Sequence, residues 1–135
     1  MITAVDSSVL IDIFIGDRVF GERSVGALRG CLRQGRVIAC EVVWAEVQSQ
    51  FATTSAAQSA MEKLEVQFSP CNLSGAQGAG VAFAQYRSKG GPKARVIADF
   101  LVGAHAMTEA DQLLTRDRGF YRTYFGDLLI IDPMT

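Results

Sequence analysis

The sequence has one histidine, His105, and three cysteines, Cys31, Cys40 and Cys71, with no CxxC pair among them. That excludes the usual zinc-ligand spacings. An odd number of widely spaced thiols reads as reduced, buried cysteine in a cytosolic protein, not as a disulfide framework. His105 lies in the apolar stretch GAHAM, which fits a packed position better than a catalytic base. An excess of one charge is also missing. Thirteen basic residues meet fourteen acidic ones, so any electrostatic argument for a nucleic-acid partner must be local. No window approaches the ~18 consecutive apolar residues of a membrane span. MITAVDSSVL lacks a basic leader region, and Asp6 and Asp12 interrupt its apolar run, which argues against a signal peptide and for a cytoplasmic location. GAQGAG lacks the GxGxxG spacing and no GK[ST] follows it, so a nucleotide-binding loop is not supported.

What is present suits one domain spanning residues 1–135. At 49% hydrophobic the chain is not disordered, and its length allows roughly two thirds of the unfolded surface to be buried. ITAV, RVIA, DQLLT and LLIID are short apolar runs of strand type. Between them lie helical patterns: SSVLIDIFIG closed by Gly16, residues 18–35 closed by Gly35, CEVVWAEVQSQF, SAAQSAMEKLEV, SGAQGAGVAFAQYRSKG, and residues 93–110 after the break at Gly90, Gly91 and Pro92. A further short helix is expected after Asp117. Strands alternating with helices imply an α/β fold with a mainly parallel sheet flanked by helices. In such sheets ligands gather beyond the carboxyl ends of the strands, where Asp6 and Asp117 are expected.

Four acids occupy positions that can converge: Asp6 after the first strand, Glu46 within VVWAEV, Asp99 within VIADFLVGA, and Asp117 after QLLT. Each has a plain structural reading. Asp6 and Asp117 can cap helices. Asp99 can pair with Arg95 four residues before it. Glu46 can sit on an exposed face. Together they suggest a site. Like charges in one pocket raise one another's pKa, and a divalent cation removes that penalty. Mg²⁺ and Mn²⁺ prefer such hard oxygen ligands, and can activate water at a phosphorus centre.

AVDSSVLID, VVWAEV, ARVIADFLVGAHA and LLTRDRGFYRTYF resemble, in order along nearly the whole chain, the motifs of PIN-domain ribonucleases, most closely the VapC-type toxins of toxin–antitoxin pairs. The resemblance implies a three-layer PIN-like fold and an Mg²⁺- or Mn²⁺-dependent endoribonuclease. It assigns Asp6, Glu46, Asp99 and Asp117 to the catalytic, metal-holding set, with Ser7, Ser8 and Thr115 as supporting hydroxyls. It selects Glu46 over Glu41, which lies about 140° away around a helix. It further implies structured RNA as substrate, with tRNA and rRNA as candidates, 5′-phosphate and 3′-hydroxyl products, a homodimer and a VapB-type antitoxin. Some PIN domains carry a further acid one turn after the third. Val102 and Gly103 stand there, so a second metal would be weakly held or brought by substrate.

Substrate contacts are expected from Arg87, Lys89, Lys93, Arg95, Arg116 and Arg118, whose positive charge suits phosphates. Tyr86, Phe120, Tyr121 and Tyr124 are candidates for stacking on unpaired bases, though Phe120 and Tyr124 also fit a packed helix face. The surplus of apolar residues in Val9, Leu10, Ile13, Phe14 and Ile15 suits either core packing or a subunit or antitoxin surface. Three rival readings are weaker. A haloacid-dehalogenase-type phosphotransferase would need a second acid where Ser8 stands. A receiver-type regulatory module would need a matching lysine after a later strand. A non-catalytic PIN-like scaffold that binds RNA or protein would not need all four acids.

Overall fold

The structure is a computed structural model that describes residues 1–92 and 95–135, so the expected substrate contact Lys93 lies outside the described residues. Five strands and seven helices alternate: β1 (Ile2–Val5), α1 (Ser7–Ile15), α2 (Gly21–Gln34), β2 (Arg36–Ala39), α3 (Glu41–Gln48), α4 (Thr54–Lys63), β3 (Val66–Phe68), α5 (Leu73–Ser88), α6 (Ile97–Glu109), β4 (Gln112–Leu114), α7 (Arg118–Tyr124) and β5 (Leu129–Ile131). The strands form one sheet in the order β3-β2-β1-β4-β5, and every pairing is parallel. A parallel sheet packed under helices demands near-continuous apolar strands. Accordingly Ala4, Val5, Val37, Ile38, Leu113 and Leu114 are all buried. The chain leaves β1 toward β2 and β3 on one side and returns through β4 and β5 on the other. That reversal opens a crevice beyond the carboxyl ends of β1 and β4, the place where such sheets bind ligands.

Local sequence explains most element ends. Asp6 caps α1 by accepting the Ser7 N–H at 2.8 Å, and Gly16 closes it in a left-handed conformation (φ 64°). Thr53 and Asn72 cap α4 and α5 through Ala56 N–H and Gly75 N–H. Three expected ranges are corrected. The second helix starts at Gly21 and not at residue 18, because Asp17 Oδ1 accepts the N–H groups of Val19 and Phe20 in a turn. The helix carrying Asp99 starts at Ile97. The stretch SAAQSAMEKLEV does not stay helical to its end. It stops at Lys63, and Val66–Phe68 becomes a fifth strand, β3, paired to β2.

The five apolar residues of α1 singled out from the sequence divide. Val9 and Leu10 are buried, Ile13 and Phe14 pack partly against the core, and Ile15 is exposed. His105 is a core residue, buried with its ring Nε2 3.1 Å from Ser69 Oγ, and burial pushes its pKa down. All three cysteines are free; Cys31 and Cys40 are buried and Cys71 is half-buried. No helix among the described residues is long and apolar enough to cross a membrane.

An aromatic cluster joins α5, α6 and α7. Phe100 is fully buried at its centre, with ring centroids 5.3 Å from Phe83, 5.4 Å from Tyr86, 5.2 Å from Phe120, 5.8 Å from Tyr124 and 6.2 Å from Phe125. Because Phe100 follows Asp99 and Phe120 lies three residues after Asp117, this cluster sets where both acids stand. Phe100→Ala is expected to cost about 3–5 kcal/mol of unfolding free energy, the range for deleting a central aromatic ring. Urea denaturation followed by circular dichroism measures it. A loss below about 1 kcal/mol would show that the cluster does not organise this end of the fold.

Candidate active site

Four acids reach the crevice from four elements. Asp6 ends β1, Glu46 comes from α3, Asp99 from the first turn of α6, and Asp117 follows β4. They line one cavity of about 350 Å³ together with Ser7, Ser8, Ala98, Val102 and Arg116. Hollows of about 500 and 520 Å³ occur elsewhere on the surface, but neither gathers four carboxylates. Arg87 and Lys89, at the end of α5, do not line the acidic cavity; Lys89 borders a separate hollow beside Tyr86 and Tyr124.

Each carboxylate has its own partner. Asp6 Oδ2 accepts the Thr115 hydroxyl at 2.8 Å, with the Ser8 hydroxyl at the hydrogen-bond limit of 3.5 Å. Thr115 Oγ1 in turn accepts the Asp117 N–H at 3.0 Å, so one buried hydroxyl links the ends of β1 and β4. Ser7 donates to Glu46 Oε1 at 3.1 Å. Asp99 Oδ2 accepts the Val96 N–H at 3.1 Å, closing the first turn of α6. Asp117 Oδ2 lies 2.5 Å from Arg95 Nη1, while the i,i+4 pair Arg95–Asp99 is longer, at 4.0 Å. Asp117 precedes α7 but makes no side-chain cap bond to it. Glu41 points elsewhere, accepting the Cys71 N–H.

The electrostatics reflect this crowding. Burial pushes Asp6 up to about 6 from the ordinary aspartate range. The Thr115 hydroxyl and Ser7 N–H pull it down in part, while the charges of Glu46 and Asp117 raise it further. Arg95 is held more firmly protonated, first by its hydrogen bond to Asp117. Burial and then the three nearby aspartates keep the Tyr121 hydroxyl neutral. Among the described residues no three His, Cys, Asp or Glu side chains form a close metal-ligand group. The acids share a cavity, and each has its own donor.

Two expected substrate contacts have other partners. Arg116 borders the cavity but binds Asp12 through two bonds, Nε–Oδ2 at 2.6 Å and Nη2–Oδ1 at 3.2 Å, and lies 4.0 Å over the Phe20 ring. Arg118 Nε lies 3.5 Å from Asp132. Sequence reasoning missed Asp12, which is buried on α1. Its only signal was an acid breaking an otherwise apolar helix. Tyr86, Phe120 and Tyr121 are buried in the α5–α7 cluster, so only Tyr124, 38% exposed, offers a ring to solvent. Val102 lines the cavity with an apolar side chain, and a Cβ at Gly103 would collide with the Phe125 ring, so that position admits no acid.

An α/β protein with a carboxylate-lined crevice at its strand ends is the class that the fold and site define. The PIN domain family model matches residues 3–126, and the chain belongs to that family. Its fold is shared by solved structures of low sequence identity. A chain of VapBC2 from Rickettsia felis, bound to a DNA fragment from its promoter, superposes with a TM-score of 0.75 at 17% identity, covering 98% of each chain. A chain of VapBC-1 from nontypeable Haemophilus influenzae gives 0.75 at 19% identity over 100% of each. A chain of FitAcB from Neisseria gonorrhoeae gives 0.66 at 19% over 99% of each. No curated protein sequence matches the chain significantly.

Because the folded-state pKa of Asp6 is raised, its stabilising contribution is complete below the ordinary value of 3.8 and is lost as pH rises through about 6. Asp6→Asn removes that loss. The variant is expected to melt about 3 °C or more above the wild type at pH 8 without added metal, with a smaller gain at pH 5. Differential scanning calorimetry at the two pH values checks this. An equal or larger gain at pH 5 would contradict the assignment.

Proposed function

We propose that this chain is an Mg²⁺- or Mn²⁺-dependent endoribonuclease that acts as the toxin of a toxin–antitoxin pair. The observation that carries the reading is the single cavity lined by Asp6, Glu46, Asp99 and Asp117. The donor chemistry fits a hard divalent cation: every acidic side chain there offers oxygen, and Asp6 is pushed up to about 6 by burial and by its acidic neighbours. Asp6, Asp99 and Asp117, with Glu46, would hold the ion directly or through water. Bound there, it supplies an activated water and neutralises charge building on a phosphodiester.

The chain's own groups prepare that chemistry. Thr115 and Ser7 N–H orient Asp6, and the Ser7 hydroxyl orients Glu46, so both carboxylates are preset before anything binds. Val102 and Ala98 form the apolar part of the cavity wall. Hydrolysis would leave 5′-phosphate and 3′-hydroxyl ends on RNA, with tRNA and rRNA as candidate substrates. The fold relatives from VapBC assemblies support a VapB-type antitoxin as partner; a homodimer is what the resemblance implies. One observation favours a second reading, a non-catalytic PIN-like scaffold: Asp117 is already neutralised by Arg95.

Purified protein incubated with total RNA and Mg²⁺ or Mn²⁺ is expected to cleave it, and a chelator is expected to stop cleavage. Asp99→Asn and Glu46→Gln should each lower the rate by at least about a hundredfold, the scale for losing an electrostatic group used in the transition state. Gel analysis with end labelling measures rate and end chemistry. Cleavage that survives chelation, or that is equal in the variants, would sink the metal mechanism. Absence of cleavage on every RNA supplied would favour the scaffold.

A further inference from the structure

Arg95 stands just before α6, four residues ahead of Asp99. Its Nη1 is 2.5 Å from Asp117 Oδ2 and 4.0 Å from Asp99 Oδ1, and its guanidinium lies 4.3 Å over the Phe120 ring. The side chain is 31% exposed. It therefore bridges two acids brought together from α6 and from the end of β4. The other arginine at the cavity, Arg116, is engaged by Asp12. An isolated surface i,i+4 pair would contribute little. This contact differs in kind, because Asp117 is 22 residues away in sequence and the aromatic face below the guanidinium holds it in place.

A cation held by Asp117 and Asp99 would stand beside the guanidinium that already engages Asp117 Oδ2. The guanidinium is acceptor-free, cannot lose its proton in the accessible pH range, and repels a divalent ion at this distance. We infer that Arg95 is a resident counter-cation that a divalent ion must displace, so that the chain sets its own metal affinity below what its four acids would give. The inference rests on the proposed metal site and adds a competitor within it. Linkage makes the competition reciprocal: whatever tightens Arg95 on Asp117 weakens the metal by the same factor.

The test is isothermal titration of the whole chain with Mn²⁺ at pH 8, where Asp6 is ionised. Arg95→Gln is expected to bind Mn²⁺ roughly tenfold more tightly than the wild type, the scale of removing one unit charge beside a partly exposed site. Arg95→Lys keeps the charge but loses the planar fork and the ring stacking, so its gain should be smaller, roughly twofold to threefold. Arg33→Gln removes a charge from the exposed end of α2, near the amino ends of the strands, and should change nothing. Cooperative thermal melts establish that each variant is folded, and Arg95→Lys decides by the same criterion if Arg95→Gln is not. Equal or weaker Mn²⁺ binding in folded Arg95 variants, or the same gain in Arg33→Gln, overturns the inference while leaving the metal site standing. No Mn²⁺ binding by any of the proteins overturns both.

Discussion

The parallel pairing of β1 with β4 is the contact on which the site depends. It sets Val5 opposite Leu114 and continues past the strand ends, where Asp6 N–H donates to the Leu114 carbonyl at 2.9 Å. The Thr115 hydroxyl then reaches back to Asp6, and the Asp117 N–H reaches Thr115. Acids more than a hundred residues apart in sequence thereby become neighbours. Were the register to slip by one residue, every side chain at this edge would swap faces. Close packing resists that, because Leu113 and Leu114 are wholly buried and a slip would force each into the space built for a different side chain on the opposite face.

Bringing like charges together opposes folding, and the structure answers that cost locally. Asp6 is both the cap of α1 and a cavity acid, so its charge also meets the positive end of a helix. Glu46 takes the Ser7 hydroxyl, Asp99 takes a backbone N–H, and Asp117 takes a guanidinium. The partial offset leaves Asp6 raised. A site poised in this way trades stability for chemistry, a common cost of functional clusters. The aromatic cluster around Phe100 supplies the rigid backing, since α6 and α7 cannot shift relative to α5 without breaking ring contacts on several sides.

Much of the fold was legible in the sequence because its signals are local. Apolar runs of strand length, a capping Asp6, and Gly16 at a left-handed position each act within a few residues. The strand β3 was not legible for a local reason too. The turn that ends α4 passes through Glu65 at φ 58°, a conformation usually marked by glycine. With no glycine or proline between Leu64 and Val66, the helical pattern runs on in sequence where the backbone turns. The roles of the aromatic residues were also hidden. Tyr86 and Tyr121 read as candidates for stacking on bases, yet their rings fill the space between three helices.

From sequence alone, the identity of the four acids and their positions after strands and on helices were determined, because strand and helix periodicity place them and the resemblance selects Glu46 over Glu41. Partner choice was decided only in three dimensions. Sequence spacing pairs Arg95 with Asp99, whereas the folded chain pairs it with Asp117. Arg116 reads as meeting either a phosphate or a neighbouring carboxylate, and the folded chain supplies Asp12 from α1. The physical reason is range. Periodicity and capping are set by bonds a few residues long, but a charge pairs with whichever opposite charge the packed elements bring nearest, and no local pattern encodes that.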